Sequence, residues 1–337
     1  MSDFYTLAIE SSCDETSAAI LNHKKVIALV TATQSVHEQY GGVVPELASR
    51  AHQSHIIPVL DTSLKDAGLK LNQLNLLCVT EGPGLMGSLH VGVALMKSVA
   101  MTQKLPLIGV NHMHGHVLAH CIEGQYENEI EFPFLCLTVS GGHTQIVYVE
   151  SPVALRILAQ TKDDAAGEAI DKAAKLFGLP YPGGPWVDRH AQSGDDSKFK
   201  FSVPRMDDGQ YSFSGLKTSL LYFLQSQAKE NPNFIQENLD SLCASFQKTT
   251  MDYLLKNFFN WADKMQVKHV AIAGGVSANS YLRKTFLTLG DKKKLKTFVP
   301  KFDYCTDNAA MIGITGYFQF QNGYQMRNIV PQPRMAF

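Results

Sequence analysis

The segment HMHGHVLAH, residues 112–120, holds four of the chain's twelve histidines. On a helix His112 and His116 lie one turn apart on the same face, a spacing at which two imidazoles can bind one divalent metal ion. His116 and His120 have the same spacing, whereas His114 points elsewhere. The spacing leaves both pairs open, and histidines packed without a metal are an equally good interpretation.

Two histidines need a third ligand to hold a metal. Asp307, in the sequence CTDN, would complete a His-His-Asp set with open positions, which suits non-haem iron or another Lewis-acid ion. The alternative for Asp307 is to serve as the N-cap of the last predicted helix. The segment is not the zinc-protease motif HExxH, because Met113 stands where the catalytic glutamate would be.

Glycine-rich turns are a second feature that could bind a ligand. The sequence EGPGLMG matches GxGxxG, but the strand that follows ends in Asn-His instead of the acid that would hold a ribose, so NAD binding is disfavoured. Three turns in the second half, SGG at 140–142, GGP at 183–185 and GGVSAN at 274–279, favour a nucleotide cleft. Backbone N–H groups at such turns can approach phosphates. Each turn taken alone is explained equally well as an ordinary loop.

Acidic side chains form two groups. Asp14 and Glu15 lie in SSCDET, a predicted hairpin tip that in a duplicated nucleotide-binding fold would face the phosphates. The segment DDAAGEAID, residues 163–171, places several carboxylates on one predicted helix face. Turn propensity explains the first group and a solvated helix face the second, so neither is specific alone.

Strands alternate with helices along the chain, which predicts an α/β fold. Residues 5–20 and 134–150 each form a strand, a small polar turn and a second strand, and each pair opens a region of mixed strands and helices. This repetition predicts an internal duplication with a cleft between the copies. A polar stretch ending at Pro133 places the boundary near residue 131.

The composition argues against a general polyanion-binding protein, an exported protein and a membrane protein. The chain has 337 residues, 45% hydrophobic content and a net charge of −1, so a general affinity for polyanions is not expected. Six scattered cysteines predict reduced thiols and a cytoplasmic protein. The first residues enter a strand directly, which argues against an export signal, and no apolar run approaches the roughly 20 residues of a membrane helix.

Ten motifs in order along the chain resemble the TsaD family, the universal tRNA threonylcarbamoyladenosine synthesis enzymes: IESSCDET, GGVVPELASRAH, GPGLMGSLHVG, NHMHGH, VSGGHTQ, DDAAGEAIDK, YPGGP, YSFSGLKT, AGGVSAN and CTDNAAMI. The resemblance implies the duplicated actin-like ATPase fold of actin, sugar kinases and heat-shock ATPases. It implies one lobe over 1–131 completed by a helix at 307–322, a second lobe with helical insertions over 132–306, and a tail at 323–337.

The resemblance also implies a reaction and its residues. A threonylcarbamoyl group would pass from threonylcarbamoyl-AMP to N6 of the adenosine at tRNA position 37, next to the anticodon of tRNAs that read ANN codons, with release of AMP. The metal ligands would be His112, His116 and Asp307, with Fe²⁺ expected and Zn²⁺ the alternative. Asp14 and Glu15 would act as catalytic acids or bases. Contacts to the adenylate, or to ATP or AMP, would come from Thr138, Val139, Ser140, Gly141, Gly142, Asp171, Gly184, Asp188 and Asn279.

The partners implied are tRNA and, in a bacterium, a TsaB-like paralogue and a TsaE-like ATPase, with no membrane. Two other functions stay open: a metallopeptidase, the older label of the family, and a non-enzymatic ATP-binding scaffold. The missing glutamate of HExxH and the nucleotide-type turns count against the peptidase. Basic side chains that could meet tRNA phosphates are Lys292, Lys293, Lys294, Lys296, Lys198, Lys200, Arg205, Arg327 and Arg334.

Overall fold

The computed structural model describes residues 2–204, 206, 209–324 and 328–337, with the side chains of 35, 38 and 39 excepted. Arg205 and Arg327, two of the predicted basic contacts, lie outside these residues. The chain folds into two compact units. Unit 1 comprises Met1–Phe132, Val149–Arg156 and Pro300–Phe337, and unit 2 comprises Pro133–Tyr148 and Ile157–Val299.

The described strands are β1 (Tyr5–Glu10), β2 (Glu15–Asn22), β3 (Lys25–Thr33), β4 (Leu76–Gly82), β5 (Leu107–Asn111), β6 (Phe134–Val139), β7 (Thr144–Ser151), β8 (Ala154–Gln160), β9 (His269–Ala273) and β10 (Lys296–Phe298). The described α-helices are α1 (Pro45–Ala67), α2 (Met86–Gln103), α3 (His112–Leu118), α4 (Ala166–Leu176), α5 (Gly183–Ala191), α6 (Ser214–Glu230), α7 (Phe234–Met265), α8 (Ser280–Lys292) and α9 (Ala309–Gln321). Within the described part of the chain, no helix is long and apolar enough to cross a membrane.

The sheet of unit 1 has the strand order β3-β2-β1-β4-β5. β1 to β3 form an antiparallel meander, and β4 and β5 then join β1 as parallel strands. β4 is buried along its whole length, as expected for an apolar run that is covered on both faces of a sheet. Helices α1 and α2 pack on one face and α9 on the other, which gives this unit two apolar cores.

The helices that frame this sheet begin and end at recognisable signals. Pro45 opens α1, where the missing N–H costs nothing, and Gly68 closes it in the left-handed conformation at φ 67°. Asn111, the last residue of β5, caps α3: its Oδ1 accepts hydrogen bonds from the backbone N–H groups of Met113 and His114. The strand therefore passes directly into the helix that carries the clustered histidines.

The sheet of unit 2 repeats the same arrangement, with the order β8-β7-β6-β9-β10. β9 lies parallel to β6, as β4 lies parallel to β1, and β10 is parallel to β9. The helices α4 to α8 and the sheet enclose one large apolar core. The repeated strand order confirms the predicted duplication and the α/β class.

Two details of the sequence prediction are wrong. β8 was not expected after the hairpin of β6 and β7, because its side chains are exposed or half-buried except for Ala159, and its apolar positions do not alternate cleanly. The last helix begins at Ala309, and its N-cap is Asn308, whose Oδ1 accepts the backbone N–H of Met311. Asp307 therefore does not cap α9, and its carboxylate is available for other contacts.

Candidate metal centre and nucleotide-type turns

His112, His116 and Asp307 converge in unit 1, with ligand atoms within 4.8 Å of one another. Asp307 Oδ1 lies 3.1 Å from His116 Nε2 and 3.4 Å from His112 Nε2. The two imidazole rings stand nearly perpendicular, with centroids 4.7 Å apart. The helical spacing supplies the two histidines, and the chain segment before α9 supplies the carboxylate.

His112 is held by a carboxylate on its other side. Its Nδ1 lies 3.0 Å from Glu10 Oε2 and 3.2 Å from the hydroxyl of Ser12, at the end of β1. Burial opposes the charged imidazole, but the negative charges of Asp307 and Glu10 raise the pKa of His112 well above its ordinary value. A carboxylate on Nδ1 is the contact that orients a metal-binding histidine and leaves Nε2 to face the ion.

The pKa of Asp307 is likewise set by the neighbouring side chains. Burial alone would raise the pKa of Asp307, but the charge of His112 and the hydrogen bonds from His112 and His116 hold this pKa far below its ordinary value. The carboxylate is thus ionised, as a metal ligand must be.

The two remaining histidines of the segment face elsewhere. α3 ends at Leu118 and a 3₁₀ turn follows, so His120 leaves the helical face of His116. Its Nδ1 makes a 2.6 Å hydrogen bond to the hydroxyl of Tyr126. His114 is half-buried, and desolvation lowers its pKa to about 4. The alternative chelating pair, His116 with His120, is therefore not assembled.

Asp14 lies in the turn between β1 and β2, and Glu15 is the first residue of β2. His52 of α1 braces this turn, with Nδ1 2.7 Å from the hydroxyl of Thr16 and Nε2 2.9 Å from the carbonyl of Cys13. Burial raises the pKa of Glu15 to about 10, and the negative charges of Asp307 and Asp14 add to the rise. Glu15 thus interacts electrostatically with Asp307, one of the three convergent side chains, and with Asp14.

The residues present fit a divalent metal ion. Two imidazole nitrogens and one carboxylate oxygen converge, and His112 has an orienting carboxylate. The surrounding carboxylates repel one another, and a bound cation would offset that repulsion. Such a ligand set suits iron or zinc.

In unit 2, the turn after β6 and the turn after β9 meet backbone to backbone. A Cβ placed on Gly274 would collide with the carbonyl of Val139, and Gly274 has φ 85° and ψ 166°, a conformation open essentially to glycine only. Thr138 and Val139 end β6, and Ser140, Gly141 and Gly142 form the turn to β7. Apart from the neighbours in the chain, no atom of the described residues lies within 4 Å of a Cβ built on Gly141 or Gly142, so this turn has open space beside it.

Gly274→Ala should therefore destabilise the chain by about 1–3 kcal/mol, the cost of forcing a side chain into this backbone conformation. Urea denaturation measures the change. Gly275→Ala is the matched control, since a Cβ there meets no atom of the described residues within 4 Å beyond its chain neighbours and needs no positive φ. Equal midpoints for the two variants would contradict the prediction.

Asp171, Asp188 and Asn279 lie in the same part of unit 2, and each makes internal hydrogen bonds. Asp171 accepts the backbone N–H groups of Gly183 and Gly184 at the start of α5, and burial raises its pKa against these bonds. Asp188 accepts both the N–H and the hydroxyl of Ser280. Asn279 caps α8 through Oδ1 and donates to Gln247 through Nδ2. These side chains fix the turns in place.

Asp163 has a role that the sequence did not indicate. The sequence predicts a helix from about residue 164 with Asp164, Glu168 and Asp171 on one face, but α4 begins only at Ala166. Asp163 instead accepts hydrogen bonds from the hydroxyls of Ser212 and Ser214 and from the N–H of Phe213, at the start of α6. Burial would raise its pKa, but these bonds hold it below the ordinary value.

The charge of Asp163 should make stability depend on pH. Because its folded pKa lies below the unfolded value, the contribution is present above about pH 3.9 and is lost as pH falls through the folded pKa. The urea midpoints of the wild type and Asp163→Asn should therefore differ at pH 6 and converge as the pH is lowered. A difference that grows on acidification would contradict this role.

Two further residues around the metal centre were missed as site residues: Glu10 and His52. Glu10 is fully buried at the end of an apolar strand, where an ionised carboxylate is costly unless it is paired. That position alone could have indicated a partner. Nothing in the spacing indicates His52, because its partners on the β1–β2 turn are 36 and 39 residues away.

The repeated strand order and the open turn in unit 2 define an α/β protein of the actin-like ATPase fold, with a candidate metal centre in unit 1. Solved structures share this fold. HypF from T. kodakarensis aligns over 98% of this chain and 49% of its own with a TM-score of 0.63 and 13% identity. An activator of 2-hydroxyisocaproyl-CoA dehydratase from Clostridium difficile aligns over 95% and 96%, with a TM-score of 0.52 and 13% identity.

Sequence relatives identify the family. Residues 25–314 match the family model TsaD, tRNA N6-adenosine threonylcarbamoyltransferase. Proteins named tRNA N6-adenosine threonylcarbamoyltransferase from Christiangramia forsetii and Riemerella anatipestifer are 51% and 50% identical to this chain. The alignments cover 98% of both chains for the first, and 94% of this chain and 93% of the relative for the second. The chain belongs to the TsaD family of tRNA-modifying acyltransferases.

Proposed function

We propose that this protein transfers the threonylcarbamoyl group from threonylcarbamoyl-AMP to N6 of the adenosine at position 37 in tRNAs that read ANN codons, and releases AMP. The observation that carries the proposal is the identity of about half of all positions with relatives named for this transfer, over nearly the whole chain. In the reaction, N6 attacks the carbonyl carbon of the donor, a C–N bond forms, and the bond from that carbon to the phosphate oxygen of AMP breaks.

An exocyclic adenine amine is a weak nucleophile, so the donor must be held in line and its carbonyl polarised. In the proposal His112, His116 and Asp307 hold one divalent ion, Fe²⁺ or alternatively Zn²⁺. When bound, that ion supplies the positive charge that orients and polarises the donor. Glu10 keeps the imidazole of His112 in the orientation that presents Nε2. The convergence of the three side chains supports this assignment.

The attacking amine must lose a proton, and Asp14 or Glu15 is the proposed acceptor. Glu15 could accept it only when a bound cation lowers its raised pKa, because a carboxyl group with a pKa of about 10 keeps its own proton at neutral pH. Asp14 and Glu15 lie at or beside the turn braced by His52, and both act electrostatically on Asp307 or its neighbours. The two hydrogen bonds from His52 hold that turn in one position. They support a role in placing a carboxylate, because a proton acceptor needs a fixed position within hydrogen-bond reach.

The adenylate part of the donor is assigned to unit 2. Thr138, Val139, Ser140, Gly141 and Gly142 would place backbone N–H groups beside the AMP phosphate, and Gly184 would contribute at the start of α5. Asp171, Asp188 and Asn279 would shape the site for ribose and base. The open space beside Gly141 and Gly142 supports this assignment.

A net charge of −1 leaves little general attraction for tRNA phosphates. We therefore infer that partner proteins share the tRNA surface: a TsaB-like paralogue and a TsaE-like ATPase if the source is bacterial. The site of action proposed is the cytoplasm, where tRNA is modified.

The decisive experiment combines the purified chain, its partners, threonylcarbamoyl-AMP and unmodified tRNA. Nucleoside mass spectrometry should detect threonylcarbamoyladenosine, with one AMP released per modified adenosine. The same tRNA with guanosine at position 37 is the control and should give neither product. An unmodified tRNA, with the donor intact and the metal loaded, would overturn the proposal. Peptide cleavage that disappears in His112→Ala would instead support a metallopeptidase, and ATP binding without any product would support a scaffold.

A further inference from the structure

Residues 328–337, called the strap below, cross the carboxyl ends of β4 and β5 in unit 1. The backbone N–H of Gln332 donates to the carbonyl of Glu81 at 2.7 Å, and its Nε2 donates to Glu81 Oε1 at 2.9 Å. The N–H of Gly84 donates to the carbonyl of Pro333 at 3.2 Å. The contact is close, because a Cβ on Gly82 would collide with the carbonyl of Gln332. The first glycine of the GxGxxG match, Gly82, is therefore explained by the close approach of the strap and does not require a nucleotide.

The first residues of the strap are anchored as well. Lys97 Nζ donates to Asn328 Oδ1 at 2.9 Å and to the carbonyl of Ile329 at 2.7 Å. Ile329 is 2% exposed and packs into the apolar core between the sheet and α1 and α2. Burial of one such side chain contributes about 1.5–3 kcal/mol, enough to hold a short segment in place.

The last residues of the strap reach the helix of the candidate metal ligands. Asn111 Nδ2 donates to the carbonyl of Ala336 at 2.8 Å. The other end of the same amide, Oδ1, accepts the N–H groups of Met113 and His114 and so caps α3. One amide group therefore joins the strap to the first turn of α3, and the strap fixes which way the cap points.

A ring contact completes the connection. The ring of Phe337 lies 4.5 Å from the imidazole of His114, at 66° between the planes. His114 sits between the two histidines of the triad along α3, and its Nε2 is buried with no hydrogen-bond partner among the described residues. Phe337 thus packs on α3 through His114, between the two candidate ligands in the sequence.

We propose that the strap is a positioning element for the metal centre: through Asn111 and Phe337 it sets the place of α3 and hence of His112 and His116. The proposal rests on the metal-binding part of the proposed function. α3 has only seven residues, and so short a helix has little stability of its own. External contacts must hold it, and the strap supplies two of them.

Two variants test the proposal in the full-length chain. Asn111→Ser keeps a good N-cap for α3 but loses the second arm that reaches Ala336, and Phe337→Ala removes the ring on His114. We expect Co²⁺ titration, followed by visible absorption, to give a dissociation constant about tenfold larger in each variant than in the wild type, together with an altered spectrum. Residues that orient metal ligands have effects of this size. Val330→Ala is the matched control, because Val330 is a strap residue with an exposed side chain.

A second measurement needs no metal. In the metal-free protein, amide hydrogen exchange at residues 113–116 should be about tenfold faster in both variants than in the wild type and Val330→Ala. Unchanged exchange and unchanged Co²⁺ affinity would overturn the proposal, as would a lowered thermal midpoint with affinity and exchange intact, which is the signature of a purely structural segment. If the wild type bound no Co²⁺, the metal part of the proposed function would fall, and the exchange rates alone would decide whether the strap restrains α3.

Discussion

His116→Ala should abolish stoichiometric metal binding and reduce transferase activity by about a thousandfold or more. The side chain supplies one of three convergent ligand atoms, and its Nε2 lies 3.1 Å from Asp307 Oδ1. A metal ion that stabilises developing charge contributes several kcal/mol to catalysis, and each 1.36 kcal/mol corresponds to about tenfold in rate. Metal content measured by inductively coupled plasma mass spectrometry and nucleoside analysis of tRNA check the two parts separately.

His120→Ala is the matched control for this variant. His120 is also buried and lies four residues further along the chain, but its Nδ1 bonds to the hydroxyl of Tyr126 and it is not one of the three side chains that converge. The His120→Ala variant should bind metal as the wild type does, although it loses the hydrogen bond and the ring stacking between His120 and Tyr126. Equal loss of metal in both variants would show that the site is not the triad of His112, His116 and Asp307.

Glu10→Gln should weaken metal binding by about 10- to 100-fold while leaving all three ligands in place. The substitution keeps the size of the side chain but removes the negative charge that faces His112 Nδ1 at 3.0 Å. Against the effect of burial, the charge of His112 holds the pKa of Glu10 below its ordinary value, so the charge is present at neutral pH. Competitive titration with a chromophoric chelator measures the affinity.

Thr6→Val provides the comparison for Glu10→Gln. Thr6 is fully buried on the same strand, β1, and the substitution preserves its volume. Its metal affinity should match the wild type, whatever happens to the unfolding midpoint. If Glu10→Gln retained full affinity, the carboxylate would serve the fold through Thr80 and Ser12 and not the metal centre.

The order of elements and the duplication could be predicted from the sequence because both depend on local patterns. Apolar runs, the proline at the start of α1 and the glycine after it are local signals, and the structure follows them. β8 was missed because an edge strand with half-buried side chains carries no clear alternation. The cap of α9 was misplaced by one residue because Asp307 and Asn308 are both good caps, and only the backbone geometry distinguishes them.

The spacing of the histidines determined that two of them could share a metal ion, and the family motifs favoured His112 with His116. Only the tertiary structure shows why His120 is excluded: α3 ends at Leu118, and the helical periodicity behind the 116/120 pair stops there. The site also depends on Glu10 and Asp307, which are separated from His112 by 102 and 195 positions in the chain. Sheet pairing and the packing of α9 decide that proximity, and no local pattern encodes it.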